Sequence, residues 1–477
     1  MLYITNKKIS TNFIVDIFVV SFLIFTIIVG ITSFRSIFGF DFDAFRCAGL
    51  VTFHGQNPYL YGPIHTCEAS VNSLFFQQNP HVAVPSPLPP YSIPLFYLFA
   101  LLPADISRFC WSIVLIGCIY LFSKSMAQLS GQKLSFCLAL CGPSMLGITI
   151  FQGGFAPIPL TLLVSAAVFF QVNCWDIGAL LLSLSMMEPH VGLPACLASF
   201  LFLPKSRKVI SISGFIFLII GIKTVGIDIF VDYFKEILPI HASAEIHNLG
   251  QQSLSAILYR LGFPVDIALH IGFIQYITFI FIGIFVAHKF FTFDRNPVWY
   301  IIVPSAFSVV GGEFIHLPQM AMIMPLACMM LSRYPTKFMR TITFLILVPF
   351  EAISSLYSLA LNWFSGLIIL RNYHASNIII ISILTTLAIC LSLAAFFVPV
   401  HHDNINPVMH MSNEIASISW REFLLNGHTQ PIWWFAKATA IVPPLCLLIF
   451  TFIQSLKQIP ILSVNSIIFD SQEIIVK

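Results

Sequence analysis

The stretch Gly39-Phe-Asp-Phe-Asp-Ala-Phe-Arg46 directly follows the first long hydrophobic segment of the chain and carries two carboxylates, Asp41 and Asp43. Only 9% of all residues are charged, so two acids so close to the end of a hydrophobic segment are unusual. A polar loop follows and ends in Pro85-Ser-Pro-Leu-Pro-Pro90. A carboxylate at a membrane surface beneath such a loop suits chemistry on a lipid-linked substrate. The alternative is that Asp41 caps a helix or faces water.

The composition excludes a water-soluble protein. Of the 477 residues 58% are hydrophobic, and the mean hydropathy is +0.90. Backbone that crosses lipid must be helical, because lipid offers no hydrogen-bond partners. The net charge of +3 is small and dispersed, which argues against a nucleic-acid partner. We therefore expect an all-α integral membrane protein, with residues 1–477 forming a single domain in the lipid bilayer.

Hydrophobic segments of membrane-crossing length recur along the chain and predict about 11–13 transmembrane helices. The predicted spans lie at about 11–33, 106–124, 134–151, 156–173, 176–189, 190–204, 208–227, 266–288, 298–314, 317–332, 339–358, 376–400 and 438–456. The sequence contains no clear internal repeat.

Basic residues give the orientation of these spans. Asn6-Lys-Lys8 precedes the first span, so the positive-inside rule places the N-terminus in the cytoplasm and the loop at 34–104 outside. Within that loop, Tyr91–Pro103 is apolar but too short to cross, which predicts short interfacial helices. A second external stretch is predicted at 228–262 and a long cytoplasmic loop at 401–437.

The 11 cysteines show no CxxC pair and no spacing typical of metal ligands. Most lie inside predicted spans, where cysteine behaves as a small hydrophobic residue. Cys47 and Cys67 both lie in the first loop, so they could form a disulfide if that loop is extracytoplasmic.

Polar residues that are unusual in such a chain fall on one predicted side, the external face. They form five groups: Asp41 with Asp43; Gln152; Glu188 with His190; Gln251, Gln252, Ser253 and Arg260; and Glu313, His316 and Gln319. Ionisable residues near membrane depth usually face a cavity or the interior of the bundle. Their common side therefore predicts a single outward-facing cavity.

Each group also has an ordinary structural interpretation. Glu188 and His190 would be turn residues beside Pro189, and His316 would be hydrogen-bonded between helices. The remaining alternatives are that Gln152 bonds across helices, that Arg260 extends to the interface, and that Asp43 serves only the loop.

Metal and nucleotide chemistry has little support in the sequence. Asp41-x-Asp43 is similar to the pattern that holds divalent cations on diphosphate donors, but a monophosphate donor needs no such clamp. Zinc-ligand spacing, a P-loop and a GxGxxG motif are all missing from the sequence. We expect neither a metal nor a cofactor.

A series of short motifs follows the first span in a defined order. These are Asp41-Phe-x-x-Phe-x-x-Ala48, Gly55-Gln-Asn-Pro-Tyr59, Pro89-Pro90 with Leu95-Phe96 and Leu101-Leu-Pro103, Gln251-Gln-Ser-Leu254 with Arg260, and His316. In their order and common side they resemble glycosyltransferase family 87, whose members are integral-membrane enzymes of the GT-C fold. The chain departs from the family at Glu188-Pro189, where the family typically has Lys-Pro.

The resemblance implies a GT-C-type bundle that transfers a hexose, most often mannose. The donor would be a polyprenyl-phosphate sugar and the acceptor an extracytoplasmic glycan or glycolipid, with inversion at the anomeric carbon. Asp41 takes the family's catalytic-base position, and Asp43 and His316 are the other catalytic candidates. We expect such an enzyme in a bacterial inner (plasma) membrane, with its site on the extracytoplasmic face.

The chemistry of such a transfer assigns roles to the other candidates. One base must take the proton of the acceptor hydroxyl, whereas the departing phosphate needs positive charge rather than a strong acid. Candidates for that charge are Arg46, Arg108, Arg260 and His316. Candidates for binding the substrate are Glu188, His190 and Gln319, through sugar hydroxyls, and Gln252.

Two other classes of protein stay open. A secondary transporter or a lipid or sugar flippase would show internal repeats and charges at the midplane, whereas the polar groups here lie towards one face. A non-catalytic scaffold of the same fold is the third possibility, and the presence of Asp41 argues against it.

Overall fold

The computed structural model describes residues 39–141, 146–347, 409–425 and 431–457. Over these ranges the chain is helical and contains no strand; extended backbone pairs there only at two isolated bridges, Leu60 with Ile415 and Gln251 with His316. The predicted spans at 11–33 and 376–400 lie outside the described residues, as does the second half of 339–358.

Twenty α-helices are described, and we number them in chain order. They are α1 Phe40–Phe53, α2 Tyr61–Ser70, α3 Leu74–Gln78, α4 Tyr97–Ala100, α5 Ala104–Ser130, α6 Leu134–Cys141, α7 Gly147–Gln152, α8 Pro157–Gln171, α9 Trp175–Leu184, α10 Pro189–Phe202, α11 Arg207–Val225, α12 Ile227–Asp232, α13 Leu238–Glu245, α14 Leu254–Arg260, α15 Val265–Asp294, α16 Trp299–Gly311, α17 Ile323–Arg333, α18 Lys337–Leu347, α19 Ala416–Leu425 and α20 Pro431–Lys457. Short 3₁₀ turns lie at Ile93–Phe96, Ser185–Met187, Pro204–Ser206 and Gln319–Met322, and a π-helical turn at Tyr233–Ile237.

Four of the described helices are long and apolar enough to cross a membrane. They are Ala104–Ser130, Pro204–Val225, Val265–Asp294 and Lys437–Lys457. Shorter apolar helices lie at Pro157–Gln171, Trp175–Met187, Pro189–Phe202 and Trp299–Gly311. All eight coincide with predicted spans, because each is an apolar segment bounded by Gly, Pro or charged residues. Over the described residues the architecture is that of an all-α membrane protein.

Helix α16 forms the centre of the bundle. Every one of its residues is buried, and it packs closely on α15 because small residues let the two backbones approach. A Cβ atom on Gly283 would stand 2.9 Å from Pro304 Cα, too close for any larger residue. By contrast, α11 is mostly exposed, with Phe215 63% accessible, as expected of a lipid-facing helix. The buried α16 leads directly into the loop that carries His316.

One end of the bundle, which we call the loop face, is covered by the predicted first loop. Cys47 of α1 and Cys67 of α2 form a disulfide there. The predicted interfacial segment 91–103 contains a 3₁₀ turn and α4, and Arg46 binds its end by donating to the carbonyls of Phe99, Ala100 and Leu102.

Residues 409–425, which we call the strap, correct one prediction. Tyr61 N donates to Glu414 O at 2.7 Å and Ala416 N donates to Tyr59 O at 2.9 Å, so the strap lies on the first loop. At the start of α20, Trp433 Nε1 donates to Leu249 O of the predicted second external stretch. The prediction that 401–437 lies on the opposite side of the membrane from 34–104 is therefore wrong for its described part. Its only basic residues are Arg421 and Lys437, too few to fix a side by charge.

Candidate functional site

Asp41 lies in the first turn of α1, at the loop face. Helix α1 begins after Gly39, whose φ of 81° favours glycine. The Gln152-Gly-Gly154 turn packs against this start: a Cβ on Gly154 would stand 3.7 Å from Asp41 Oδ2. Trp111 anchors the turn by donating from Nε1 to Gly153 O at 2.8 Å. The predicted proximity of Gln152 and Asp41 therefore reflects backbone packing, and the helix N-terminus favours a negative charge at Asp41.

His316 and Glu245 form the centre of the site. His316 Nε2 lies 3.2 Å from Glu245 Oε2, and 37% of the His316 side chain is accessible, whereas that of Glu245 is 7% accessible. Gln251 Nε2 lies 3.1 Å from the same Glu245 oxygen and 3.2 Å from His316 Nε2. The backbones of Gln251 and His316 also form a bridge. The loop after α16 is thus fastened to the predicted second external stretch.

Two further donors hold the Glu245 carboxylate. Trp420 Nε1, from the strap, donates to Oε1 at 2.7 Å, and Asn248 Nδ2 donates to Oε2 at 3.0 Å. A buried carboxylate is costly unless it is paired and hydrogen-bonded, and here both oxygens are satisfied.

A second set of polar contacts extends from His316 towards α10. Gln319 Oε1 accepts from His316 N at 2.9 Å, and Gln319 Nε2 donates to Glu188 Oε1 at 2.6 Å. His190 Nε2 lies 3.3 Å from the same Glu188 oxygen. Glu188 Oε2 is buried without a hydrogen-bond partner among the described residues, so this carboxylate has an acceptor position to offer to a ligand.

The electrostatics of these groups are coupled. Burial raises the pKa of Asp41 to about 7, and the charge of His316 lowers it while that of Glu245 raises it. Burial alone would lower the pKa of His316, but the hydrogen bond and charge of Glu245 and the charge of Asp41 raise it, against Lys437. Burial alone would raise the pKa of Glu245, but His316 and His241 hold it well below the ordinary range. Asp41 is therefore poised to exchange a proton near neutral pH, and it interacts through charge with an imidazole whose charged form Glu245 favours.

Positive charge also gathers around His247, two residues after Glu245. Burial and the charges of Arg260 and Arg421 lower the pKa of His247 to about 4. Arg260 donates to His247 O at 2.6 Å, and His247 Nδ1 is buried with no hydrogen-bond partner in the part of the chain that the structure describes.

An apolar cavity of about 380 Å³ lies between α9, α10 and α11. Tyr91 of the first loop lines this cavity and donates a hydrogen bond to the carbonyl of Met186, which also lines it. Because Met186 stands two positions before Glu188, the cavity adjoins the polar site.

Three predicted site residues lie elsewhere. Arg108 binds Asp43 through two nitrogens, at 2.7 Å from Nη2 and 3.0 Å from Nε, and both side chains are buried. Arg46 is occupied with the carbonyls at the end of α4. The structure therefore gives Asp43, Arg46 and Arg108 internal partners rather than a place beside Asp41.

The other candidates lie at the margin of the site. Gln252 is buried, and its backbone N donates to Ile315 O at 2.6 Å, next to His316. Glu313 faces α15, close to Gly272. The described residues contain no group of three or more His, Cys, Asp or Glu side chains that could hold a metal ion.

Three residues of the site were not predicted from the sequence: Glu245, Trp420 and Arg421. Glu245 stands in the predicted external stretch 228–262, so an acid in a chain with few charges was the available signal. Trp420 and Arg421 had been placed on the other side of the membrane, and no local pattern pointed to the site.

Comparisons with known proteins add no relatives: no family model, curated protein or solved structure matches the chain. What the fold and site define together is a class: an all-helical membrane protein with a recessed carboxylate and imidazole at one end of its bundle.

Proposed function

We propose that the protein is a membrane glycosyltransferase of GT-C type that moves a hexose, with mannose the first candidate, from a polyprenyl-phosphate donor to an extracytoplasmic glycan or glycolipid. One observation carries the proposal: at the loop face Asp41, whose pKa burial raises to about 7, interacts through charge with His316, whose side chain is 37% accessible. A base of this kind works best when its pKa is near the working pH.

In the proposed reaction Asp41 takes the proton of an acceptor hydroxyl as the hydroxyl oxygen bonds to the anomeric carbon. The bond from that carbon to the phosphate oxygen breaks, the phosphate leaves with the electron pair, and the configuration inverts. The charged His316, together with Arg260 and Arg421 near His247, would stabilise the phosphate.

The remaining contacts indicate where the sugar and the prenyl chain of the substrate would bind. The partnerless Oε2 of Glu188 would accept a hydrogen bond from a sugar hydroxyl, with Gln319 and His190 beside it. The prenyl chain needs only an apolar groove, and the cavity lined by Tyr91 and Met186 would take its first units. The site would face the extracytoplasmic side of a bacterial inner membrane.

The test uses the purified full chain with synthetic polyprenyl-phosphate mannose and a bacterial lipid extract as acceptor. We expect transfer of the sugar and a loss of at least about 100-fold in kcat for Asp41→Asn, which keeps the shape but removes the base. Asp105→Asn is the matched control, because that carboxylate is 90% accessible.

Near-normal transfer by Asp41→Asn would contradict the role of Asp41. Solute counterflow in proteoliposomes, without consumption of the lipid-linked sugar, would indicate that the protein is a transporter and not a transferase.

A further inference from the structure

Glu245 is the most fully satisfied carboxylate of the site, yet it faces no open space. Only 5% of its surface is accessible, and four side-chain nitrogens lie within 3.2 Å of its two oxygens. Nothing in the proposed transfer uses this acid directly. Its contacts indicate that Glu245 acts through a neighbouring residue.

We propose that Glu245 and Trp420 form a positioning pair that holds the His316 imidazole, in its charged form, beside Asp41. Glu245 Oε2 fixes the ring by accepting from Nε2, and the Trp420 indole fixes the carboxylate by binding its other oxygen at 2.7 Å. The pair acts on His316 and does not itself contact substrate. Its catalytic consequence rests on the proposed glycosyl transfer.

The ring orientation follows from these bonds. Nε2 of His316 is bound to Glu245, and Nδ1 faces the backbone of Gly250. A Cβ atom added to Gly250 would stand 3.7 Å from Nδ1 of His316. An imidazole held at one nitrogen by a carboxylate has a fixed orientation and a stabilised positive charge. Without Glu245 the ring would lose the bond that fixes its orientation and the main group that favours its charged form.

The charged groups around the ring come from three elements. Asp41 of α1 and Glu245 of α13 favour the imidazolium, whereas Lys437 of α20 opposes it, and His241 of α13 also interacts with Glu245. Two carboxylates against one lysine leave a net preference for the charged ring. Glu245 makes the shorter-range contribution, because it alone also forms a hydrogen bond to the ring.

Trp420 connects this arrangement to the strap. Its ring stacks on Phe423, with centroids 5.1 Å apart, and packs near Phe75 of the first loop. Replacing Trp420 by Phe would keep an aromatic ring in this cluster and remove the N–H. The Trp420→Phe variant therefore separates the hydrogen bond from the packing of the strap.

The direct test follows the titration of His316 by NMR in the purified full chain with ¹³Cε1-labelled histidine, its signal assigned by its loss in His316→Gln. We expect Glu245→Gln to lower the pKa of His316 by about one or more, and Trp420→Phe to lower it less. Trp299→Phe is the matched control: it removes an indole bond to a carboxylate, Asp294, outside the site. An unchanged His316 titration in Glu245→Gln would overturn the pair.

The second measurement is the pH profile of transfer. We expect Glu245→Gln and Trp420→Phe to lower kcat with little change in the KM for the donor, and to move the alkaline limb to lower pH. Glu245→Asp, which keeps the charge, should restore part of the rate.

The proposed function and the proposed positioning pair can be contradicted independently of each other. If the wild-type chain transfers no sugar, the proposed function falls while the NMR titration still tests the pair. If transfer occurs and neither variant changes the titration or the profile, the pair alone is wrong.

Discussion

Asp41 and Asp43 lie two positions apart on α1 and have opposite surroundings. Asp43 is fully buried and binds Arg108 at 2.7 Å. Asp41 is partly exposed, borders the Gly154 turn, and interacts with His316 and Glu245 through their charges. Two side chains at this spacing point to different faces of a helix. One carboxylate therefore joins α1 to α5, and the other stays available for chemistry.

The Asp43–Arg108 pair predicts a structural phenotype. We expect Arg108→Met to destabilise the protein by about 3–5 kcal/mol, because it leaves Asp43 buried without its cation. Unfolding of the protein in detergent, followed by circular dichroism, would measure this loss of stability. Asp105→Asn breaks only the solvent-exposed contact of Arg108 and should cost less than about 1 kcal/mol. Equal stability of Arg108→Met and wild type would refute a structural role for the pair.

The pH dependence of transfer follows from Asp41. Only the ionised carboxylate can accept a proton, and its pKa is raised to about 7. We expect kcat/KM to rise tenfold per pH unit below about 7, to level off above it, and to fall again on the alkaline limb where His316 loses its proton. Initial rates between pH 5 and pH 9 would show this. A profile that is flat from pH 5 upwards would mean that Asp41 is not the base.

Ionisation of Asp41 should also lower the stability of the folded protein. The native state holds its proton up to about pH 7, whereas an unfolded Asp loses it near pH 3.8, so the stability contributed by this group falls as the pH rises between these values. We expect Asp41→Asn to melt at a higher temperature than wild type at pH 8, by on the order of a few degrees, and at the same temperature at pH 4. Thermal melts at both pH values provide the measurement, and a variant that melts lower at pH 8 would contradict the expectation.

The position of the strap predicts a labelling pattern. In a Cys174→Ser background, which removes the one exposed free cysteine among the described residues, Met409→Cys and Gln78→Cys should react with a membrane-impermeant maleimide from the same side. Lys205→Cys, in the turn between α10 and α11, should react only from the other side. Labelling of positions 78 and 409 from opposite sides would show that the strap does not lie on the first loop.

The helices were largely predictable from the sequence, because a bilayer imposes length and apolarity on each span. The segments around Ala104–Ser130 and Val265–Asp294 were predicted for that reason. The side of the strap was not predictable: it depends on the number of crossings before it, and Arg421 and Lys437 are too few to determine it.

The site was predictable only in part. Scarcity of charge indicated Asp41, Glu188 and His316, because an ionisable residue near lipid usually has a function. Scarcity could not separate Asp41 from Asp43, since their difference is a matter of which helix face meets Arg108. Nor could it find Trp420, whose role depends on a contact with Glu245 across 175 positions of the chain.

The bond from Trp420 to Glu245 also sets an order of assembly. The ribosome makes Glu245, Gln251 and His316 well before Trp420, so during synthesis the carboxylate first has its neighbours in the segment 245–251 and the loop after α16. The strap adds its indole only after α5 to α18 have been translated. Maturation of the recess is therefore a late event in biogenesis, and a nascent chain that ends before the strap holds an inserted bundle with an unfinished centre.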